Sequence, residues 1–228
     1  DFQDSRGDST RDEQRNNVMW DVELIWRPRS AWMLYTELLA DDIATETAEQ
    51  PTRGAVQLGI IHAPRWYGWD WSLGLEYTRV SNYTYSVYYQ DLCRCDWEHQ
   101  DEPLGYRYGP DSEVWLLRAG LDLDRDWGGE LRVLRVRRGE GRIGVPWRPS
   151  DAGCADEDPH CGDVDAWSLS GTVEMLTTTE VAIHYRPGNL LRVSLWGGVE
   201  HARHPDHQAG AASTTRGVGG LRLSLGYH

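Results

Sequence analysis

The chain has 228 residues, of which 39% are hydrophobic, and it carries a formal net charge of −13. This charge argues against nucleic acid as a partner, because a phosphate backbone requires a basic surface, and no apolar run is long enough for a membrane-spanning helix. Twelve Trp and eleven Tyr against one Phe favour aromatics with one polar end, which suit a boundary between apolar and wet surroundings.

Strict alternation of apolar and polar residues, which is typical of β-strands with two different faces, recurs along the whole chain. In the first run, Asp21 and Glu23 alternate with large apolar residues on the opposite face. Those apolar residues are Val18, Trp20, Val22, Leu24 and Trp26. Further strands are predicted near residues 31–41, 54–63, 69–89, 115–123, 128–139, 165–186, 191–200 and 221–227.

The links between these strands alternate in length. Short links lie at 27–30, 63–68, 124–127 and 186–189, and long, mostly acidic links lie at 42–53, 90–111, 140–164 and 203–212. Tight periplasmic turns and long extracellular loops are the layout of outer-membrane barrels. A β-sandwich would also alternate along each strand, but it has no reason to segregate its links in this way.

We therefore expect an all-β fold, a transmembrane antiparallel up-and-down β-barrel in the bacterial outer membrane, with residues 1–228 as one region. Its long loops would be extracellular, its C-terminus periplasmic, and lipid a partner. Single-chain bacterial barrels have even strand numbers, so about nine strands predict the C-terminal part of a larger barrel, completed upstream or by another chain. A turn at residues 177–179 would instead give about ten strands and a small closed barrel, but the alternation continues there in phase.

Charged residues on the faces opposite the apolar ones predict a polar lumen. They are Asp21, Glu23, Glu37, Glu76, Arg118, Asp122, Glu174, His184, Arg192, Glu200 and Arg222.

Four cysteines, Cys93, Cys95, Cys154 and Cys161, lie in two long links on the same side of the predicted barrel. Cys93 and Cys95 are too close to bridge each other without strain, so two disulfides between the links are expected in an oxidising compartment. Free thiols and a four-thiolate metal site are the alternatives.

Other polar clusters have weaker signals. The acidic run 151–165 lacks the spacing of a known calcium loop, and His201, His204 and His207 lack paired spacing for a transition metal. No serine lies in a distinctive catalytic motif. We therefore predict no metal, no cofactor and no enzymatic activity.

Three short segments carry a family resemblance. The strings LYTELLADDI at 34–43, LEYTRV at 75–80 followed by NYTY at 82–85, and PLGY at 103–106 with GPD at 109–111 resemble the Wzi-type capsule assembly proteins, in the same order. The resemblance implies a larger barrel of about eighteen strands. It also implies a non-enzymatic protein that binds capsular or exopolysaccharide and helps retain or assemble it at the cell surface.

Aromatic faces for sugar rings and polar groups for hydroxyls then predict a polysaccharide site at the outer rim. The candidate residues are Asp41, Asp42, Asn82, Tyr83, Tyr85, Tyr106 and Asp111. The simpler interpretation is a strand end and an aromatic girdle. Two other functions remain open: a passive porin-like channel and a structural barrel subunit that anchors a multi-chain surface assembly.

Overall fold

The computed structural model describes residues 19–42, 51–86, 98–99, 102–103, 105–124, 126–145, 165–187 and 191–225. Twelve strands lie in these ranges. They are β1 Trp20–Arg29, β2 Trp32–Asp42, β3 Arg53–His62, β4 Arg65–Trp66, β5 Trp69–Val80, β6 Glu98–His99, β7 Glu102–Pro103, β8 Ser112–Asp122, β9 Trp127–Arg138, β10 Glu174–Tyr185, β11 Leu191–Arg203 and β12 Thr214–Leu225.

Nine long strands pair in chain order as one antiparallel sheet, β1-β2-β3-β5-β8-β9-β10-β11-β12. The two-residue β4 joins this sheet beside β5, and β6 pairs with β7 in a separate small hairpin. The prediction of an all-β, antiparallel, up-and-down fold is confirmed. The sheet is open, because β1 and β12 do not pair with each other.

The registers divide the sheet into two chemically different faces. Directly opposed residues of antiparallel strands lie on the same face, and Leu24, Leu75, Leu117 and Leu195 all belong to one side, which we call the apolar face. The other side is the polar face. It carries every charged residue that the alternation predicts for the lumen.

Two of the predicted strands are too long, and the strand predicted at 221–227 begins earlier, at Thr214. The strand predicted over 69–89 ends at Val80, and residues 82–85 form turns. The strand predicted over 165–186 begins only at Glu174, because Asp165 accepts hydrogen bonds from the backbone N–H groups of Trp167 and Ser168 and holds a local turn. β10 then continues without a break through residues 177–179, so no hairpin interrupts it there.

A glycine on the polar face leaves space for a tyrosine ring that reaches across one strand to a carboxylate. The Tyr35 hydroxyl donates a hydrogen bond of 2.5 Å to Glu76 Oε2, two strands away. To reach it, the ring lies across Gly59, where a Cβ atom would stand 2.0 Å from the ring. Only glycine fits beneath this ring without displacing it.

The compact hydrophobic core lies on the polar face, near the end from which the long loops leave. Val114, Leu116, Leu134 and Val136 are buried there and pack against Tyr106, Tyr108 and Leu176. The chain before β8 therefore covers this part of the polar face. The apolar face, by contrast, leaves large side chains exposed.

Candidate functional site

A buried polar network at the long-loop end is centred on Asp111, which has no exposed surface. Its carboxylate accepts hydrogen bonds from the backbone N–H groups of Gly141, at 3.0 Å, and Ser170, at 3.2 Å. The Ser170 hydroxyl also donates to it, and Arg79 Nη2 lies 3.8 Å from Oδ1. One carboxylate thus ties the segment after β9 and the segment before β10 to the start of β8 through charge-assisted bonds.

Arg79 is the cationic partner in this network. Its Nε donates to the carbonyl oxygen of Trp167 at 2.9 Å, and its Nη1 donates to those of Val80 at 2.9 Å and Ser112 at 3.0 Å. The side chain is 6% exposed. A guanidinium so deeply buried requires these acceptors and the nearby carboxylate to offset its lost hydration.

Three of the predicted site residues form a second chain of contacts. The backbone N–H of Tyr85 donates to Asp41 Oδ2 at 2.9 Å, and the backbone N–H of Tyr106 donates to the Tyr85 hydroxyl oxygen at 3.0 Å. Asp41 and Tyr85 are 2% and 1% exposed. Burial raises the pKa of Tyr85, so the phenol stays neutral near pH 7 while its oxygen accepts from the loop backbone.

Asn82 and Tyr83 form the turn that leads from β5 to Tyr85. The backbone N–H of Asn82 donates to the carbonyl oxygen of Ala166 at 2.8 Å, and Asn82 Oδ1 accepts from the backbone N–H of Tyr83 at 2.9 Å. Tyr83 has a φ of 66° and Tyr85 a φ of 72°, a left-handed conformation that costs energy for residues other than glycine. Buried hydrogen bonds on both sides hold this turn in place.

The structure therefore brings most of the predicted site residues to one end of the sheet, but in two different environments. Asp41, Asn82, Tyr85 and Asp111 are buried, and their described polar contacts are with the protein itself. Tyr83 and Tyr106 are half-buried, and the Asp42 side chain lies outside the described residues. The buried members hold the loop end together rather than face solvent.

A short tyrosine segment, residues 106–108, lies over the hydrophobic core of the polar face. The rings of Tyr106 and Tyr108 are 5.7 Å apart, and the exposed Arg107 places its guanidinium carbon 4.9 Å from the centre of the Tyr108 ring. Sequence reasoning selected Tyr106 alone. The signal for its two neighbours was the run of Tyr, Arg and Tyr between Gly105 and Gly109, which offers aromatic faces and a cation together.

The remainder of the polar face is crossed by ion pairs. Arg132 Nη1 lies 3.1 Å from Glu180 Oε2, and Arg216 Nε lies 2.6 Å from Glu200 Oε1. Beside the first pair is a pocket of about 300 Å³. Its lining consists of Glu130, Arg132, Glu180, Ala182, His184, Arg192, Ser194, Trp196 and Arg222.

Of the three histidines considered for a transition metal, His201 contacts the Thr215 hydroxyl at 2.9 Å and the other two contact the backbone. His204 Nδ1 lies 3.1 Å from the carbonyl oxygen of Val173, and His207 Nδ1 lies 2.9 Å from that of Thr172. In the described ranges, no group of three or more His, Cys, Asp or Glu could hold a metal ion. No helix in those ranges combines the length and apolarity needed to cross a bilayer.

The four cysteines and all of the acidic run 151–165 except Asp165 lie outside the described residues, so the two disulfides stay a prediction. No protein-family model, curated protein or solved structure matches the chain.

Proposed function

We propose that this chain forms part of the wall of a transmembrane β-barrel in the bacterial outer membrane, with its apolar face toward lipid. The observation that carries this proposal is the apolar face, where large side chains stay exposed on strand after strand. Val22 on β1 is 60% exposed, Val181 on β10 51%, Leu195 on β11 62% and Leu223 on β12 64%. A surface this large and apolar is costly in water and favourable in lipid.

Aromatic side chains border this face at both ends, as they do at the two interfaces of outer-membrane barrels. Trp20, Tyr77 and Trp115 lie toward the long loops. Those toward the short links are Trp26, Trp32, Trp69, Trp71, Trp127 and Tyr185. Leu123, just after β8, is level with Trp127 of the lower aromatic border. The distance along the chain from Trp115 to Leu123 is about 27 Å, measured along the strand and without correction for its tilt in the membrane. The hydrocarbon band of such barrels is about 25 Å tall.

A closed barrel requires more strands than the described residues supply. The sheet ends at β1 and β12, and the outer edge of each has no paired strand in the described part of the chain. Unpaired edges are unfavourable in hydrocarbon. We therefore propose that further strands, about as many again, complete the barrel from the same protein or from another chain.

For activity, we propose non-enzymatic binding of capsular or exopolysaccharide at the extracellular rim, which helps retain or assemble it at the cell surface. The tyrosine segment supports this role, because two phenol rings tilted by 57° to each other offer faces for sugar rings and Arg107 can bind carboxylates of acidic sugars. In this proposal the buried Asp41, Asn82, Tyr85 and Asp111 position the rim, while Tyr83, Tyr106 and Tyr108 contact the glycan.

The test is binding of purified surface polysaccharide from the producing strain to the full-length protein in detergent. Changing Arg107→Ala together with Tyr108→Ala is expected to weaken binding at least tenfold, because it removes an aromatic face and a charge. Tyr67→Ala is the matched control, since Tyr67 is 87% exposed on the short link between β4 and β5. Absence of binding by the wild-type protein would exclude this function.

A passive channel is the less supported alternative. The hydrophobic core and the tyrosine segment cover the loop end of the polar face over β8 and β9, where an open pore would need an accessible wall. Conductance at porin-like levels in planar bilayers would favour the channel over the glycan-binding barrel.

A further inference from the structure

The apolar face changes character at its long-loop end, and this change occupies only part of the sheet. One cross-strand row runs Tyr77, Trp115, Arg135, Thr177, His201 and Thr215. On β5 and β8 this row is aromatic, with ring centres 4.5 Å apart. On β9 and β11 the same row is basic.

The next row, one step closer to the loops, repeats the arrangement. It runs Arg79, Glu113, Arg137, Met175 and Arg203. Arg79 already lies beside Asp111 in the buried network, and Arg137 Nη1 lies 2.9 Å from Glu113 Oε1. Arg135 and Arg203 are exposed and have no ion-pair partner among the described residues.

These basic side chains form a compact patch, Arg135, Arg137, His201 and Arg203. Arg137 and Arg203 flank Met175 with one strand between them, which separates their backbones by about 10 Å, and Arg135 lies two residues from Arg137 along β9. Glu113 is the only acidic residue in the two rows. The patch is therefore cationic in a chain whose net charge is −13.

Just below the patch the face becomes apolar again. Val133, Thr179 and Val199 form the adjoining row on the same three strands, and Val199 is 51% exposed. A ligand that fits both regions needs anionic groups held by arginine and acyl chains that continue along the aliphatic row. Arginine forks suit phosphate oxygens, and basic side chains at headgroup depth recognise anionic lipid.

We infer that Arg135, Arg137, His201 and Arg203 bind the phosphate groups of a phosphorylated glycolipid in the outer leaflet of the outer membrane. The inference rests on the proposed transmembrane function, which directs the long-loop end of the apolar face toward that leaflet. A molecule whose two phosphates are about 10 Å apart, the separation of the β9 and β11 backbones, would contact both strands. Its acyl chains would lie against Val133 and Val199.

The test uses the full-length protein in nanodiscs, with diphosphoryl lipid A and the same lipid after enzymatic removal of its phosphates as probes, and lipid retention measured by native mass spectrometry. Wild-type protein is expected to retain the diphosphoryl form at least tenfold better. Arg135→Gln combined with Arg203→Gln is expected to abolish this preference. Arg192→Gln combined with Arg222→Gln removes two arginines from the polar face and is expected to keep it.

Equal retention of the two lipids by wild-type protein would overturn the headgroup site, and so would equal loss in both double variants. Failure of the protein to insert, seen as protease digestion of the whole sheet in nanodiscs, would overturn the transmembrane function together with this site. Insertion without a phosphate preference would overturn the site alone.

Discussion

Asp111 shows how a residue selected as a ligand contact can instead determine local structure. Its φ of 53° and its complete burial allow one carboxylate to accept from two loop segments that are 29 residues apart in sequence, at Gly141 and Ser170. If this carboxylate were removed, those N–H groups would lose their acceptor and the Arg79 guanidinium would lose its anionic neighbour. The segments after β9 and before β10 therefore depend on this side chain for their attachment.

Replacing Asp111 with alanine should lower the free energy of unfolding by about 3 kcal/mol, because buried donors and a buried cation lose their partner. Asp124→Ala is the matched control. Asp124 also accepts two backbone hydrogen bonds, from Asp126 and Trp127, but it is exposed at the opposite end of the sheet, so about 1 kcal/mol or less is expected. Guanidinium unfolding in detergent measures both. Equal losses would contradict a structural role for Asp111.

Ionisation of the Tyr85 phenol should lower the stability of the loop end at alkaline pH. Burial raises its pKa above the ordinary value of about 10, so the neutral phenol is favoured in the folded state. The stability linked to this group is complete below pH 10 and is lost as the pH rises from there toward the raised value. Between pH 9 and 12, Tyr85→Phe should show a shallower decline in unfolding free energy than the wild type.

The control for this titration is Tyr67→Phe, which alters a phenol that is 87% exposed and should keep the wild-type slope. If the Tyr85→Phe variant declined as steeply as the wild type, the alkaline loss would have to come from other groups.

At the scale of single elements, alternation predicted the strands well where both faces differ in polarity, and poorly where loops pack on the strand ends. The alternation of 69–89 continues past Val80 in sequence, but Ser81 and Asn82 begin a turn whose polar atoms bond to neighbouring segments. The same is true of Trp167 and Leu169 before β10. Period-two patterns record polarity, whereas these turns are fixed by hydrogen bonds, both local ones to Asp165 and distant ones to Gly54 and Arg79.

The candidate site was predictable in place but not in role. The predicted strand directions placed Asp41, Tyr85 and Asp111 at the long-loop end of the sheet, and the structure finds them there. Their burial could not be predicted, because it depends on loops 30 to 60 residues apart folding onto each other. Arg79, which balances the charge of Asp111, looks in sequence like any residue of an alternating strand.

The two faces of a single strand provide a direct test of the lipid-facing surface. Val181 opposes Leu131 and Gly197 on the apolar face, whereas the adjacent Ala182 opposes Glu130 on the polar face. In lipid vesicles, Val181→Arg should cost about 2–4 kcal/mol of folding free energy. Ala182→Arg should cost much less, since Glu130 can pair with the new cation. A water-exposed sheet would show small and similar effects at both positions.

At the scale of the whole molecule, the up-and-down order of the sheet sets the direction of every link. All long links leave one end of the sheet and all short links leave the other. The buried network, the tyrosine segment and the basic patch lie at the first end, and the larger set of aromatic border residues lies at the second. If the apolar face spans the membrane, these two ends must lie on opposite sides of it.

Surface labelling tests this orientation without assuming any ligand. Arg107→Cys and Tyr67→Cys place single new thiols at exposed positions near opposite ends of the sheet. On intact cells, a membrane-impermeant maleimide should label the first variant and reach the second only after the outer membrane is permeabilised. The wild type provides the background, which should be low if Cys93, Cys95, Cys154 and Cys161 are paired as predicted and should rise on reduction. Equal labelling of both new thiols on intact cells would mean that the sheet does not span the membrane, and the reverse pattern would place the long loops in the periplasm.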